Sequence, residues 1–189
     1  ITDFIDAIVK ACGDVNTMSF TSDGTFTLGL AAKTSAAEST DPTSDADGVV
    51  KMYTEFGAAV VGADGKILAA VNDATQPNIS FDEDGEITET SFKGTKMELG
   101  DDYGMVAYGN AIAEWDDQAK AIEEYVVGKT AEEVAAIETV QNDHGYSVAA
   151  DETLYASCTM QITDFIDAIV KACGDVNTCL LYTSDAADD

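Results

Sequence analysis

The segment Asp101-Asp102-Tyr103-Gly104-Met105 has the residue types that could do chemistry, and it joins a strand-like half of the chain to a helical half. Loops at such junctions often carry function, because the scaffold on either side holds them in place. Adjacent carboxylates can hold a cation or simply solvate a surface. Tyr103 and Tyr108 offer ring faces on which a planar ligand could stack, or they pack at a core rim. Lys93 and Lys96 form the close basic pair nearest this loop, and they would meet the anionic end of such a ligand.

Other positions carry weaker signals. His144 is the single histidine, and it stands in a polar Asp-His-Gly run with no cysteine near it, which reads as a solvated turn. Asp45-Ala46-Asp47-Gly48 resembles part of a calcium loop, but Thr43 and Thr54 stand where that loop needs an acid or amide and a bidentate glutamate. No metal site is therefore expected. Gln76-Pro77-Asn78 lies between strands, as a kinked strand edge or the polar lining of a pocket. No nucleophile elbow, phosphate loop or dinucleotide fingerprint appears, and acids are too plentiful for a catalytic pair to stand out. No catalytic residue is assigned.

The chain has 189 residues, with 9 basic against 36 acidic side chains and a net charge of -27. A surface this negative repels nucleic acid and anionic lipid. Apolar residues make up 46%, enough to fold around one core. No stretch reaches a membrane-spanning length. Cys158 and Cys173 stand apart from any paired-cysteine motif and read as buried thiols, with a bridge between them as the alternative.

The first seventeen residues, ITDFIDAIVKACGDVNT, recur unchanged at 162–178. Apolar residues at 4, 5, 8, 9 and 12 line one face of a helix, which Gly13 ends. One domain should hold one socket for that face. The copy at 163–173 is expected to fill it and the copy at 1–12 to lie outside. Residues 1–17 then stand for the last helix of a preceding repeat unit, or for the far end of a short gene whose ends were joined, and 18–178 form a single domain. The closing CLLYTSDAADD, residues 179–189, resembles a translated sequencing adapter. That resemblance implies a non-native tail with nothing to pack on.

Between the copies, Thr25–Ala32 alternates like a strand, and 35–47 reads as a polar loop. Strands are expected at 49–61 and 67–74 about an Asp64-Gly65 turn, and at 78–81 and 86–92 about Asp84-Gly85. Helices are expected at 110–127 and from Thr130 to about Ile137, with a final strand at 154–160. The fold class is α+β: an antiparallel meander sheet with helices packed on one face.

Three strings carry a resemblance: YTEFGAAVVGADGKILAAVNDATQPNISFDEDGEI from Tyr53, TKMELGDDYGM from Thr95, and EWDDQAKAIEEYVVGKTAEEV from Glu114. They resemble bacterial cell-envelope lipoproteins of the major-membrane-immunogen type, grouped with FMN-binding-domain proteins. The resemblance implies an exported, extracytoplasmic domain with neighbouring repeat units and a lipid anchor outside this stretch of chain. It also makes FMN the candidate cofactor; if FMN binds, Tyr103, Tyr108, Lys93 and Lys96 beside the 101–105 loop are its candidate contacts. No Asp-Gly-Ala-Thr run of the kind that carries covalent flavin occurs. The expected function is a non-enzymatic envelope domain that binds a ligand or partner; the alternative is an FMN-binding electron-transfer module.

Overall fold

A computed structural model describes residues 1–13, 16–22 and 24–174, together with the backbone of 179–181. The chain opens with helix α1 (Thr2–Ala11) and strand β1 (Phe26–Ser35). Strands β2 (Gly48–Lys51), β3 (Tyr53–Gly62), β4 (Ile67–Thr75), β5 (Asn78–Phe81) and β6 (Ile87–Ser91) follow. Next come α2 (Lys96–Leu99), a short 3-10 turn (Gly100–Tyr103), α3 (Met105–Gly109), α4 (Trp115–Val126) and α5 (Ala131–Ala135). A small hairpin of β7 (Thr139–Gln141) and β8 (Ser147–Ala149) precedes α6 (Glu152–Tyr155), α7 (Thr163–Gly174) and β9 (Cys179–Leu181). The class is α+β, and the sheets are antiparallel.

The main sheet runs β4-β3-β1-β9. Its first hairpin turns at Asp64-Gly65, where Gly65 takes the positive φ that the turn requires. Pairing of Gly57 with both Ala31 and Asn72 sets which side chains share a face. On one face lie Gly29, Ala31, Gly57, Ala59, Ala70 and Ala74, all small. Against it packs α7, with Phe165, Ile166, Ala168, Ile169 and Ala172 buried. The approach is so close that a Cβ on Gly57 would stand 2.7 Å from the Ala168 carbonyl carbon. Alongside, α4 buries Trp115, Ala119, Ile122 and Val126 in the same core. Asn72 ties sheet to helix: its Nδ2 donates to the carbonyls of Phe56 (3.3 Å) and Phe165 (3.5 Å).

The duplicated helix has two fates. In α7, Ile169 is fully buried and Phe165 nearly so. In α1 no residue is buried; Phe4 is 76% exposed and Ile8 65%. The copy joined directly to the buried Ile162 takes the socket, and α1 stays outside.

Local chemistry changes four expected elements. The run 49–61 breaks at Met52, whose N–H donates to the Pro77 carbonyl, so β2 leaves the main sheet. The second hairpin, β5–β6, joins β2 in a separate three-stranded sheet instead of extending the meander. The helix expected from Asn110 begins at Trp115, because Asn110 adopts a left-handed φ of 53° and ends α3. The strand expected at 154–160 is a helical turn: Asp151 Oδ1 accepts from the N–H groups of Thr153 (2.9 Å) and Leu154 (3.0 Å), an N-cap that starts α6. At the C-terminus, Leu181 to Cys179 pair with Phe26 to Leu28 as an edge strand. The rest of the segment read as adapter, 182–189, lies outside the described residues.

The paired helices give a direct test. Ile169→Ala should cost about 2–5 kcal/mol, the range for emptying a filled core site, whereas Ile8→Ala should cost about 0.5 kcal/mol or less. Urea unfolding of both variants checks this, and equal losses would contradict the assignment of α7 to the socket. Gly57→Ala should cost about 1–3 kcal/mol by forcing α7 off the sheet; a neutral result in the same assay would mean that the contact with Ala168 is not tight.

Candidate functional site

Lys96 is the centre of the site. A capping box fixes its position at the start of α2: Thr95 Oγ1 accepts from the Glu98 N–H (3.2 Å), and Glu98 Oε2 accepts from the Thr95 N–H (2.8 Å). Asp73 Oδ1 accepts from the Met97 N–H at 3.1 Å and pins the same turn to β4. So held, Lys96 is only 7% exposed. Its ammonium lies 4.8 Å from the Tyr53 ring centre, 4.9 Å from Tyr103 and 5.3 Å from Trp115. Three ring faces stabilise the charge through their quadrupoles. Among the described residues, no carboxylate forms an ion pair with it.

A cleft of about 440 Å³ opens over this group. Tyr53, Lys96, Tyr103 and Trp115 line it, with Phe165 and Met105 as apolar walls and Gln76, Glu38 and Asp164 as polar ones. Trp115 and Phe165 pack with ring centres 5.3 Å apart, so the first turn of α7 forms part of the wall. Lys33 clasps Asp164 (2.9 Å) and Asp167 (2.8 Å) from β1. A second cleft of about 430 Å³, between β7–β8 and α6, has no buried charge in its lining.

Of the four positions singled out from sequence, two come together and two do not. Tyr103 and Lys96 share the cleft. Lys93 is exposed away from it, and Tyr108 is 92% exposed, its ring lying over Gly104 instead of a ligand site. Gln76 does line the pocket. Tyr53 and Glu55 are the residues that sequence reasoning missed; Trp115 is a core residue, as its place on the apolar side of its helix implies, and its ring also lines the cleft. The Tyr53-Thr54-Glu55 alternation was the available signal: a tyrosine and an acid two apart on an otherwise apolar strand point to the same face. His144 sits in the β7–β8 turn, exposed, with its N–H donating to Asn142 Oδ1. The cysteines described, Cys12, Cys158 and Cys173, are free thiols, and burial pushes Cys158 up to about 11. No group of residues suited to hold a metal ion occurs among the described residues.

Behind the cleft lies a buried acid. Glu55 Oε2 accepts from the Tyr53 hydroxyl at 2.6 Å, while its Oε1 is buried without a hydrogen-bond partner. Burial pushes the Glu55 carboxyl up to about 7, against the pull of Tyr53 and Lys96. Burial likewise raises Glu123 to about 7, against the Asn72 N–H that it accepts at 2.7 Å.

Both acids hold a proton more tightly when folded than when unfolded, where a glutamate titrates near ~4.3. Their contribution to stability is therefore complete below about pH 4 and lost as the pH rises through about 7. The unfolding free energy should fall between these limits by on the order of 1–3 kcal/mol. Glu55→Gln and Glu123→Gln should each flatten the slope. Urea titrations at a series of pH values measure it; a slope that neither substitution changes would dissociate these acids from the pH response. Comparison with known proteins adds no further constraint: no protein-family model, curated protein or solved structure matches the chain.

Proposed function

We propose that this chain is a non-enzymatic, extracytoplasmic domain of the bacterial cell envelope, carried in tandem units, that binds a small planar acid in the Lys96 cleft. One observation carries the binding site: a buried ammonium boxed by three aromatic rings at the floor of an open cleft, with no ion pair among the described residues. A ligand carboxylate would supply its counter-charge, and the ligand ring would lie against Tyr103 and Trp115. Charge-assisted bonds in such a partly dry setting are stronger than neutral ones. The net charge of -27 and the resemblance of the Tyr53–Ile87 string support the location.

One observation favours the flavin alternative, in which the bound group would supply electron transfer: Tyr103 and Lys96 meet in the cleft. The residues suit a flavin ring but not the phosphate of FMN. Lys93 lies outside the cleft, the Met97 and Glu98 amides of α2 are taken by Asp73 and Thr95, and Glu38 and Asp164 share the lining with Lys96. A phosphate monoester carries close to two charges at neutral pH, and one lysine does not offset them beside two acids.

The test uses Trp115, the single tryptophan, as the reporter. Benzoate, indole-3-carboxylate, riboflavin and FMN are titrated into the full chain and read by tryptophan fluorescence and melting temperature. The aromatic carboxylates should bind, Lys96→Met should abolish binding, and Lys93→Ala and Tyr108→Ala should leave it intact. A protein that stays yellow after desalting from FMN would favour the flavin reading instead. Silence from every probe would remove the cleft as a ligand site.

A further inference from the structure

We infer that the Lys96 cleft takes its anionic ligand together with a proton, which Glu55 holds, so that the site loads in mildly acidic surroundings and empties as they turn alkaline. This rests on the reading of the cleft as an anion site and adds what controls its occupancy.

Glu55 has too few donors to keep a charge. It lies on β3, on the face that α7 covers, and is 1% exposed. Its Oε2 accepts from the Tyr53 hydroxyl at 2.6 Å, and its Oε1 is buried with no partner among the described residues. A buried carboxylate needs several donors to stay ionised, and one phenol falls short. A neutral carboxyl loses far less by leaving one oxygen unmatched. Burial accordingly pushes this acid up to about 7, where a small change in local charge decides its state.

The ligand makes that change. The Lys96 ammonium lies 4.8 Å from the centre of the same tyrosine ring whose hydroxyl holds Glu55. One ring thus separates the two groups, and they stand within about 10 Å, a length over which charges in about 0.1 M salt still act on each other. Lys96 favours the ionised form of Glu55. A ligand carboxylate on Lys96 offsets that pull and adds its own repulsion, so Glu55 takes up a proton from the solvent buffer as the ligand binds and returns it on release. By reciprocity, protonated Glu55 binds the anion more tightly than ionised Glu55 does.

The other groups around Glu55 do not oppose this. Asp164 of α7 and Asp73 of β4 both disfavour its charge. Lys33, its cross-strand neighbour on β1, is engaged by Asp164 and Asp167. Burial, and then Glu55 itself, keep the Tyr53 phenol protonated, with Tyr103 adding to the effect. Lys96 is therefore the cation whose neutralisation Glu55 senses.

The experiment titrates benzoate, which stays ionised throughout, into the full chain between about pH 6 and about pH 8.5. Trp115 fluorescence reads the affinity, which should fall roughly five- to tenfold across that range. Calorimetry near pH ~7.5, in two buffers of different ionisation enthalpy, should show on the order of half a proton taken up per benzoate bound. Glu55→Gln, which imitates the protonated carboxyl, should bind equally at both ends of the range and take up no proton. Glu123→Gln and His144→Gln should keep the parent profile, since neither residue lines the cleft. Binding in the parent with no slope and no proton uptake overturns this inference and leaves the anion site standing. A slope that survives in Glu55→Gln, or disappears in either control, overturns it too, because the proton then sits elsewhere. Should Glu55→Gln not fold, proton uptake in the parent and both controls supports the inference, and its absence from any of them overturns it. If benzoate binds at no pH, the anion site falls and this inference falls with it.

Discussion

The fold depends on how closely one helix can approach one sheet. Gly57 leaves no room for a side chain between β3 and Ala168, and the residues flanking it on that face, Ala31 and Ala59, are nearly as small. Close approach lets Ile169 and Phe165 fill the core without a gap, and close-packed apolar contacts of this kind supply most of the favourable energy of folding. It also brings the Phe165 carbonyl within reach of Asn72 and the start of α7 within reach of Lys33. Larger residues along this face would hold the helix off and lose all three together.

The cleft inherits that constraint. Its walls come from three separate places: Tyr53 from β3, Lys96 and Tyr103 from the short turns after the sheets, Trp115 and Phe165 from the two core helices. None of these elements could orient Lys96 alone. An isolated ammonium would not remain so far from water, and the three rings make its burial tolerable. The cost is carried by Glu55, whose second oxygen has no partner and whose proton is held up to about pH 7. The ring cage and the buried acid are one electrostatic unit.

Much of the framework was legible in the sequence. The Asp-Gly dipeptides at 64–65 and 84–85 announced both hairpins, and the Thr130 capping box announced α5, because these signals act over a few residues and tolerate little else. What the sequence hid depends on distant or competing contacts. The break at Met52 is made by Pro77, and the last expected strand is lost because the carboxylate of Asp151 caps a helical turn there. At the site, Tyr103 and Tyr108 look equivalent in sequence, as do Lys93 and Lys96. Only the turn at Gly100–Tyr103 and the capping box at Thr95 decide that one of each pair faces inward.

The two copies of the helix give this protein an internal reference that few chains possess. Intrinsic helix propensity, side-chain entropy and the chemistry of each amide are the same at Phe4 and Phe165, at Ile8 and Ile169, and so on along the repeat. Any difference in hydrogen-exchange protection between matched amides is then free of sequence effects. It reads the tertiary contribution residue by residue, because α1, a helix of ten residues with none buried and an ion pair from Lys10 to Glu98, is marginal in water while its twin opens only with the core. The protein thus separates, within one molecule and one solution, what a helix owes to its own sequence from what it owes to its surroundings.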